Sequence, residues 1–318
     1  MKKVARDAGG SARNGWSRLH LSAGGLSDPA ALAQLLAAGA DVGQRDNDGW
    51  TPLHMAAVFH AGADTVALLL AQPGIEVDAR DNDQATALHY AAGCGGERPV
   101  LRLLVEAGAD PQAADRHGWT PLHVAAAFNA DVQPVAELLD AGAAVEERDH
   151  TGRTPLQYAV RFNGNPQVCR RLLAAGADVL IKAEMDRTPA HYAVRFNKNV
   201  LVLAELLEAG SPIEGRDRSG RTLLHDAAAC RAGTDALWLL QRSGADINAR
   251  DRSGRTPLHE AVRFNPSPAV AAALLEAGAD VKAADRQGNT PLHDAAGCDC
   301  APAVARVVLE AAGAQIRT

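Results

Sequence analysis

No excess of positive charge marks this chain. It carries 32 lysines and arginines against 38 aspartates and glutamates, a net charge of −6, where a general nucleic-acid binder would show a basic surplus. Long apolar runs are missing as well: no window approaches the roughly 20 residues that a bilayer-spanning helix needs. Met1-Lys2-Lys3 has the charge of a secretory leader, but Val4 to Gly15 supplies no apolar stretch behind it. Cytoplasmic residence without a membrane role is therefore expected. The five cysteines (Cys94, Cys169, Cys230, Cys298 and Cys300) are odd in number and scattered, which reads as reduced thiols and not as a disulfide framework. Also absent are a glycine-rich phosphate loop, a Gly-x-Ser-x-Gly elbow and a His-Glu-x-x-His helix. The expectation is a chain that is not an enzyme, with no catalytic residues, no metal site and no cofactor.

What is present is repetition. Thr120-Pro121-Leu122-His123-Val124-Ala125-Ala126 recurs in near-copies beginning at Thr51, Thr86, Thr154, Thr188, Thr222, Thr256 and Thr290, with a degenerate copy at Ser17. The starts lie 34 residues apart, except for one step of 35 between Thr51 and Thr86. A fixed period of this size is the signature of a repeat architecture. Each heptad reads as a helix start, because Thr caps through its side-chain oxygen and Pro suits the first helical position. A second helix follows and ends in a Leu-Leu pair with a glycine beyond it, as in Leu138-Leu139 with Gly142 and Leu274-Leu275 with Gly278. Asp-x-x-Gly turn chemistry, as in Asp251-Arg252-Ser253-Gly254, then fills the gap before the next Thr. The reading is all-α: helix, turn, helix, then a hairpin-like finger.

Thr-Pro-Leu-His-x-Ala, the Ala-Gly-Ala-Asp endings (Ala107 to Asp110, Ala175 to Asp178, Ala277 to Asp280) and the Asp-x-x-Gly finger together resemble the ankyrin repeat. The resemblance covers nearly all of the chain from about Ala12 onward. It implies a solenoid of stacked helix-turn-helix units with β-hairpin fingers, whose fingers and first helices form a concave binding face. Residues 1–11 read as an N-terminal tail and 12–318 as a single array of nine repeats. The period is one residue longer than the family's 33, and counting from the Thr places the extra residue between the two helices, in stretches such as Phe162-Asn163-Gly164-Asn165-Pro166. Two fingers depart from the pattern: Gln84 replaces the glycine of the third, and Lys182-Ala183-Glu184-Met185-Asp186 lacks both Asp and Gly of the turn, so that it is expected to be bent or mobile.

Aromatic residues are only 4% of the chain, but eleven of the twelve fall into three columns when the repeats are aligned on their Thr. Phe59, Phe128, Phe162, Phe196 and Phe264 all lie eight places after it, where Cys94, Cys230 and Cys298 stand in other repeats. A column that accepts Phe or Cys and nothing charged is expected to be an interior packing site. Tyr90, Tyr158 and Tyr192 lie four places after the Thr, and Trp16, Trp50 and Trp119 just before it. The resemblance implies that these two columns look toward the groove, and amphipathic rings are favoured at interfaces. Arginine follows the same surface: Arg161, Arg195 and Arg263 seven places after the Thr, Arg153, Arg187, Arg221 and Arg255 just before it. Pairing with nearby acids such as Asp149, Asp217 or Asp251 is the plainer reading of these arginines.

Eight histidines (His20, His54, His89, His123, His191, His225, His259 and His293) share the fourth place of the heptad, with Gln157 in the remaining repeat. Neighbouring copies stand about 10 Å apart, whereas Zn–N bonds are about 2.0–2.1 Å. They cannot share an ion, and the resemblance implies a structural hydrogen-bonding role. Cys298-Asp299-Cys300 near His293 is the one metal-like cluster, and two thiolates alone do not complete a tetrahedral set.

The expected function is a non-catalytic, monomeric scaffold that binds a partner protein or peptide, bearing acidic and apolar residues, through its concave groove. The residues expected to carry it are Trp50, Trp119, Tyr158, Arg161, Arg187, Tyr192, Arg195, Arg221, Glu260 and Arg263. The alternatives are a small anionic ligand or an unrecognised activity in the groove, or an exported effector acting on host proteins.

Overall fold

The computed structural model describes residues 14–25, 29–59, 62–94, 99–230, 234–297 and 302–313. They form paired helices: α1 (Arg18–Ala23) with α2 (Pro29–Ala37), α3 (Pro52–Val58) with α4 (Ala63–Leu70), α5 (Ala87–Gly93) with α6 (Pro99–Glu106), α7 (Pro121–Phe128) with α8 (Gln133–Asp140), α9 (Pro155–Phe162) with α10 (Pro166–Ala174), α11 (Pro189–Phe196) with α12 (Val200–Glu208), α13 (Leu223–Ala229) with α14 (Asp235–Arg242), α15 (Pro257–Phe264) with α16 (Pro268–Glu276), and α17 (Pro291–Gly297) with α18 (Pro302–Ala311). No described helix is long and apolar enough to cross a membrane. Two compact units are distinguished, one of residues 1–159 with 174–176 and one of residues 160–173 with 177–318. In the first, α1, α3, α5 and α7 pack in succession, as do α2, α4, α6 and α8. In the second, α11, α13, α15 and α17 follow one another, α12 lies on α14, and α16 on α18.

The heptad makes a compact helix start. Thr120 has extended backbone and caps α7, and His123 at the third helical position turns back to it. The Nδ1 of His123 accepts from the Thr120 N–H at 3.1 Å and lies 2.9 Å from its hydroxyl. This is a capping box in which imidazole replaces the usual Glu or Gln. Beyond the cap, Leu122, Ala125 and Ala126 are fully buried, and alanine lets successive first helices approach closely. In the second helix the first Leu of each pair (Leu138, Leu172, Leu206, Leu274) is buried and the second half-buried. The helix then stops as expected: Gly142 has φ of 90°, and Ala143 N–H donates back to the Leu138 carbonyl at 2.9 Å.

The fingers correct the expectation of β-hairpins. Among the described residues no strand is formed. Each finger is a single turn, such as Asp115 N–H to Trp119 carbonyl at 2.8 Å with Gly118 N–H to Asp115 carbonyl at 3.0 Å. Its acid does the shaping: Asp115 Oδ1 accepts from the N–H groups of His117 and Trp119, which fixes the turn without a ladder. One main-chain bond links one finger to the next, as from His150 N–H to the His117 carbonyl at 3.0 Å. Glycine is needed at position 118 because its φ is +79° and a Cβ would meet His150 N at 2.8 Å. The irregular finger of residues 182–186 is also closed in this way, by Ala183 N–H to Arg187 carbonyl and Asp186 N–H to Ala183 carbonyl, with Met185 and Asp186 held at positive φ.

Asparagine shapes the widened turn in several repeats. Nine places after the Thr, Asn265 is buried and donates from Nδ2 to the carbonyls of Ala228 and Cys230 in the preceding repeat, at 3.0 and 2.6 Å. Its Oδ1 accepts from Ser267 N–H at 3.0 Å. Asn129 does the same with Ala92, Cys94 and Asp131, and Asn197 with Val160, Asn163 and Asn199. The widened turn is thus a clamp between neighbouring repeats.

Candidate partner-binding surfaces

The residues expected to face a partner fall into three environments. Trp50, Tyr158, Tyr192 and Glu260 lie inside, at 7%, 5%, 5% and 2% exposure. Two of them have internal hydrogen-bond partners: the Trp50 indole donates to Asp81 at 3.1 Å, and the Tyr158 hydroxyl donates to Asp149. Tyr192 stacks on Phe196 with ring centroids 6.1 Å apart. Burial, joined by the hydrogen bond to the carboxylate, raises the Tyr158 phenol above its ordinary range. Trp119 is only half-buried and packs between Tyr158 and Phe128, at 4.3 and 5.8 Å.

The arginines form the second environment. In residues 187–294, Arg187 pairs with Asp217 at 3.5 Å, Arg195 with Asp226 at 2.9 Å, Arg221 with Glu260 at 2.8 Å and Asp226 at 3.3 Å, and Arg263 with Asp294 at 2.9 Å. Arg255 continues the chain to Glu260 and Asp285, at 4.0 Å each. The carboxylates are the buried partners and the guanidinium groups the half-buried ones. Burial raises the Glu260 carboxyl, and the Arg221 charge works against that rise. These acids at the fourth place after the Thr take the position that Tyr158 and Tyr192 hold in earlier repeats.

Arg161 is the third case. Among the described residues it has no carboxylate partner; its guanidinium lies over two rings instead, 5.1 Å from the centroid of Phe162 and 4.7 Å from that of Phe196. Here the structure corrects the reading of the phenylalanine column as interior packing. Phe128, Phe162, Phe196 and Phe264 are 53%, 53%, 44% and 53% exposed. The reason is steric: these residues end their helices, and the space between first helices is already filled by alanines such as Ala125 and Ala126. A recess of about 500 Å³ opens there, walled by Arg161, Phe162, Phe196, Asn197, Lys198 and Asn199.

The heptad histidines are structural. The Nε2 of His54, His89, His123, His225 and His259 bonds a carbonyl 30 or 31 residues further on, at 2.9 to 3.2 Å. Since a carbonyl only accepts, Nε2 carries the proton and Nδ1 is the acceptor of the cap. Burial lowers the affinity of all five, and of His191, for a second proton; His54 falls to about 4. Among the described residues no group of three or more His, Cys, Asp or Glu side chains is placed to hold a metal. Cys298 and Cys300 lie outside the described residues. Cys94, Cys169 and Cys230 are free thiols, and burial pushes the Cys169 thiol up to about 12, which makes it a poor nucleophile.

The model of the family "Ankyrin repeats (3 copies)" matches residues 19–115, 98–183, 163–251 and 227–318, which together run from Leu19 to the last residue. The chain belongs to the ankyrin repeat family. No curated protein matches it. Ankyrin repeats are in general protein–protein interaction modules, and the paired helices and turn-like fingers are this chain's version of that unit. The asparagine clamp was missed in the sequence reading, although Asn follows Phe at positions 129, 163, 197 and 265. That pairing was the available signal.

Proposed function

We propose that this ankyrin repeat protein is a non-catalytic binding module for a partner protein segment bearing acidic and apolar residues, and that Arg161 with Phe162 and Phe196 carries the contact. One observation supports this most: a guanidinium without a carboxylate partner among the described residues, set over two rings that are about half exposed. Arginine holds carboxylates in bidentate fashion, and exposed rings beside it offer the apolar half of the same contact. Lys198, on the wall of the recess, adds a second positive charge. Arg187, Arg195, Arg221, Arg255 and Arg263 already have acidic partners, so among the arginines expected in the groove Arg161 is where an incoming carboxylate gains most.

Selection from a random peptide library on the immobilised chain tests this. The enriched peptides should place Asp or Glu beside an aromatic or branched aliphatic residue, and they should lose binding when Arg161→Ala, Phe162→Ala and Phe196→Ala are combined. Enrichment of peptides without acids, or equal capture by the triple variant, would refute the proposal.

A further inference from the structure

The finger-base column changes character along the sequence. At Arg187, Arg221 and Arg255 it supplies cations to nearby carboxylates. In the earlier repeats the same place holds Trp50, Ala85 and Trp119. Their acids therefore lack that compensation. Asp81 is buried and accepts from the Trp50 indole, the Tyr90 hydroxyl and two backbone N–H groups. Among the described residues Asp115 accepts from backbone N–H groups alone, and Asp48 is exposed. Asp83 is the exception, paired with Arg116 at 2.7 Å.

These carboxylates border a recess of about 400 Å³, a size within the usual range of ligand pockets, about 300–1,000 Å³. Its apolar walls are Trp50, Tyr90, Trp119 and Phe128. Trp50 and Tyr90 stand 4.9 Å apart at 57°, and Trp119 stacks on Phe128 at 5.8 Å. Among the described residues no lysine or arginine lines it. Of the two histidines on its wall, His89 is kept neutral by burial and uses Nε2 on the Trp119 carbonyl, and the His117 Nε2 accepts from Arg116.

We infer that this recess binds the basic side chain, lysine or arginine, of a partner peptide. Aromatic faces attract a cation through their quadrupoles and shelter its methylene stem. Carboxylates without a cationic partner then receive the charged head. This site lies in the first compact unit and owes nothing to Arg161, so its test stands apart from the proposal above.

The test is an NMR titration of the full chain, ¹⁵N-labelled at the tryptophan indoles, with acetyl-Ala-Lys-Ala-amide, its arginine counterpart and its glutamate counterpart. Both basic peptides should produce saturable shifts of the Trp50 and Trp119 indole signals by about 5 mM, with the Trp238 signal unmoved. Asp48→Asn combined with Asp115→Asn should weaken binding about tenfold, while asparagine's own oxygen still accepts the backbone bonds of the finger. Asp48→Asn alone, at an exposed side chain, should give a smaller loss with unchanged melting temperature. The inference is overturned if neither basic peptide moves those signals, if the glutamate peptide moves them equally, or if both variants bind as tightly as the parent.

Discussion

The Nε2 of His123 bonds the main-chain carbonyl of Arg153, thirty residues further on, at 3.1 Å. The other ring nitrogen closes the cap of its own helix on Thr120. One imidazole therefore fixes a helix start and ties it to the following finger, and it does so only as the neutral Nε2–H tautomer.

Stability should accordingly fall in mild acid. The buried histidines bind protons more weakly in the folded protein than in the unfolded chain, where histidine titrates near 6.5. The stability they contribute is complete above about pH 6.5 and is lost as the pH falls toward the folded value, about 4 for His54. At pH 5 His54 alone should account for a loss of about 2 kcal/mol. Urea unfolding at pH 7 and pH 5 checks this, with His54→Gln expected to flatten the dependence; a midpoint unchanged between the two pH values would contradict it.

Gln157 offers the converse experiment. Its Oε1 accepts from Thr154 N–H at 3.1 Å, but its Nε2 and the Thr154 hydroxyl, both buried, have no hydrogen-bond partner among the described residues. Gln157→His should give that hydroxyl the Nδ1 acceptor present in the sister repeats. A gain of about 1 kcal/mol is expected, visible as a higher melting temperature.

The asparagine clamp should be the costliest polar side chain to remove in the widened turns. Asn265→Ala deletes three hydrogen bonds and leaves the Ala228 and Cys230 carbonyls without that donor. A loss of about 2–3 kcal/mol is expected in urea unfolding. Asn248→Ala, at a half-buried site where the side chain makes two hydrogen bonds, to Gly278 and Asp280, serves as the comparison and should cost less.

Gln84 holds the finger position that is glycine in most repeats, at φ of 62°. A left-handed conformation costs an L-residue about 1–2 kcal/mol, and glycine returns part of that gain through its greater freedom when unfolded. Gln84→Gly should stabilise the protein by about 0.5–1 kcal/mol, read from the same unfolding curves.

The repeat frame was legible because its signals are local. Thr-Pro at a helix start and glycine after Leu-Leu act on the backbone within a few residues, and both stand where expected, as Thr120 and Gly142 show. What depends on the neighbouring repeat was not legible. Whether Phe128 is inside or outside depends on the space that alanines of adjacent helices leave. Whether Arg195 is available depends on Asp226, 31 residues away. The surface at Arg161 and Phe196 joins side chains from successive repeats, and column counting located both without showing that the rings would lie outside.

The alternating run of charges from Arg195 through Asp226, Arg221, Glu260 and Arg255 to Asp285 has an implication for engineering. Its members come from successive copies of the module, so each copy is matched electrically to the ones beside it. Exchanging the copy that starts at Thr222 for the one that starts at Thr86 would preserve the backbone but put Tyr90 in place of Asp226, leaving Arg195 without its acid. Similar modules here are therefore not interchangeable: their order along the chain is written in charge as well as in shape.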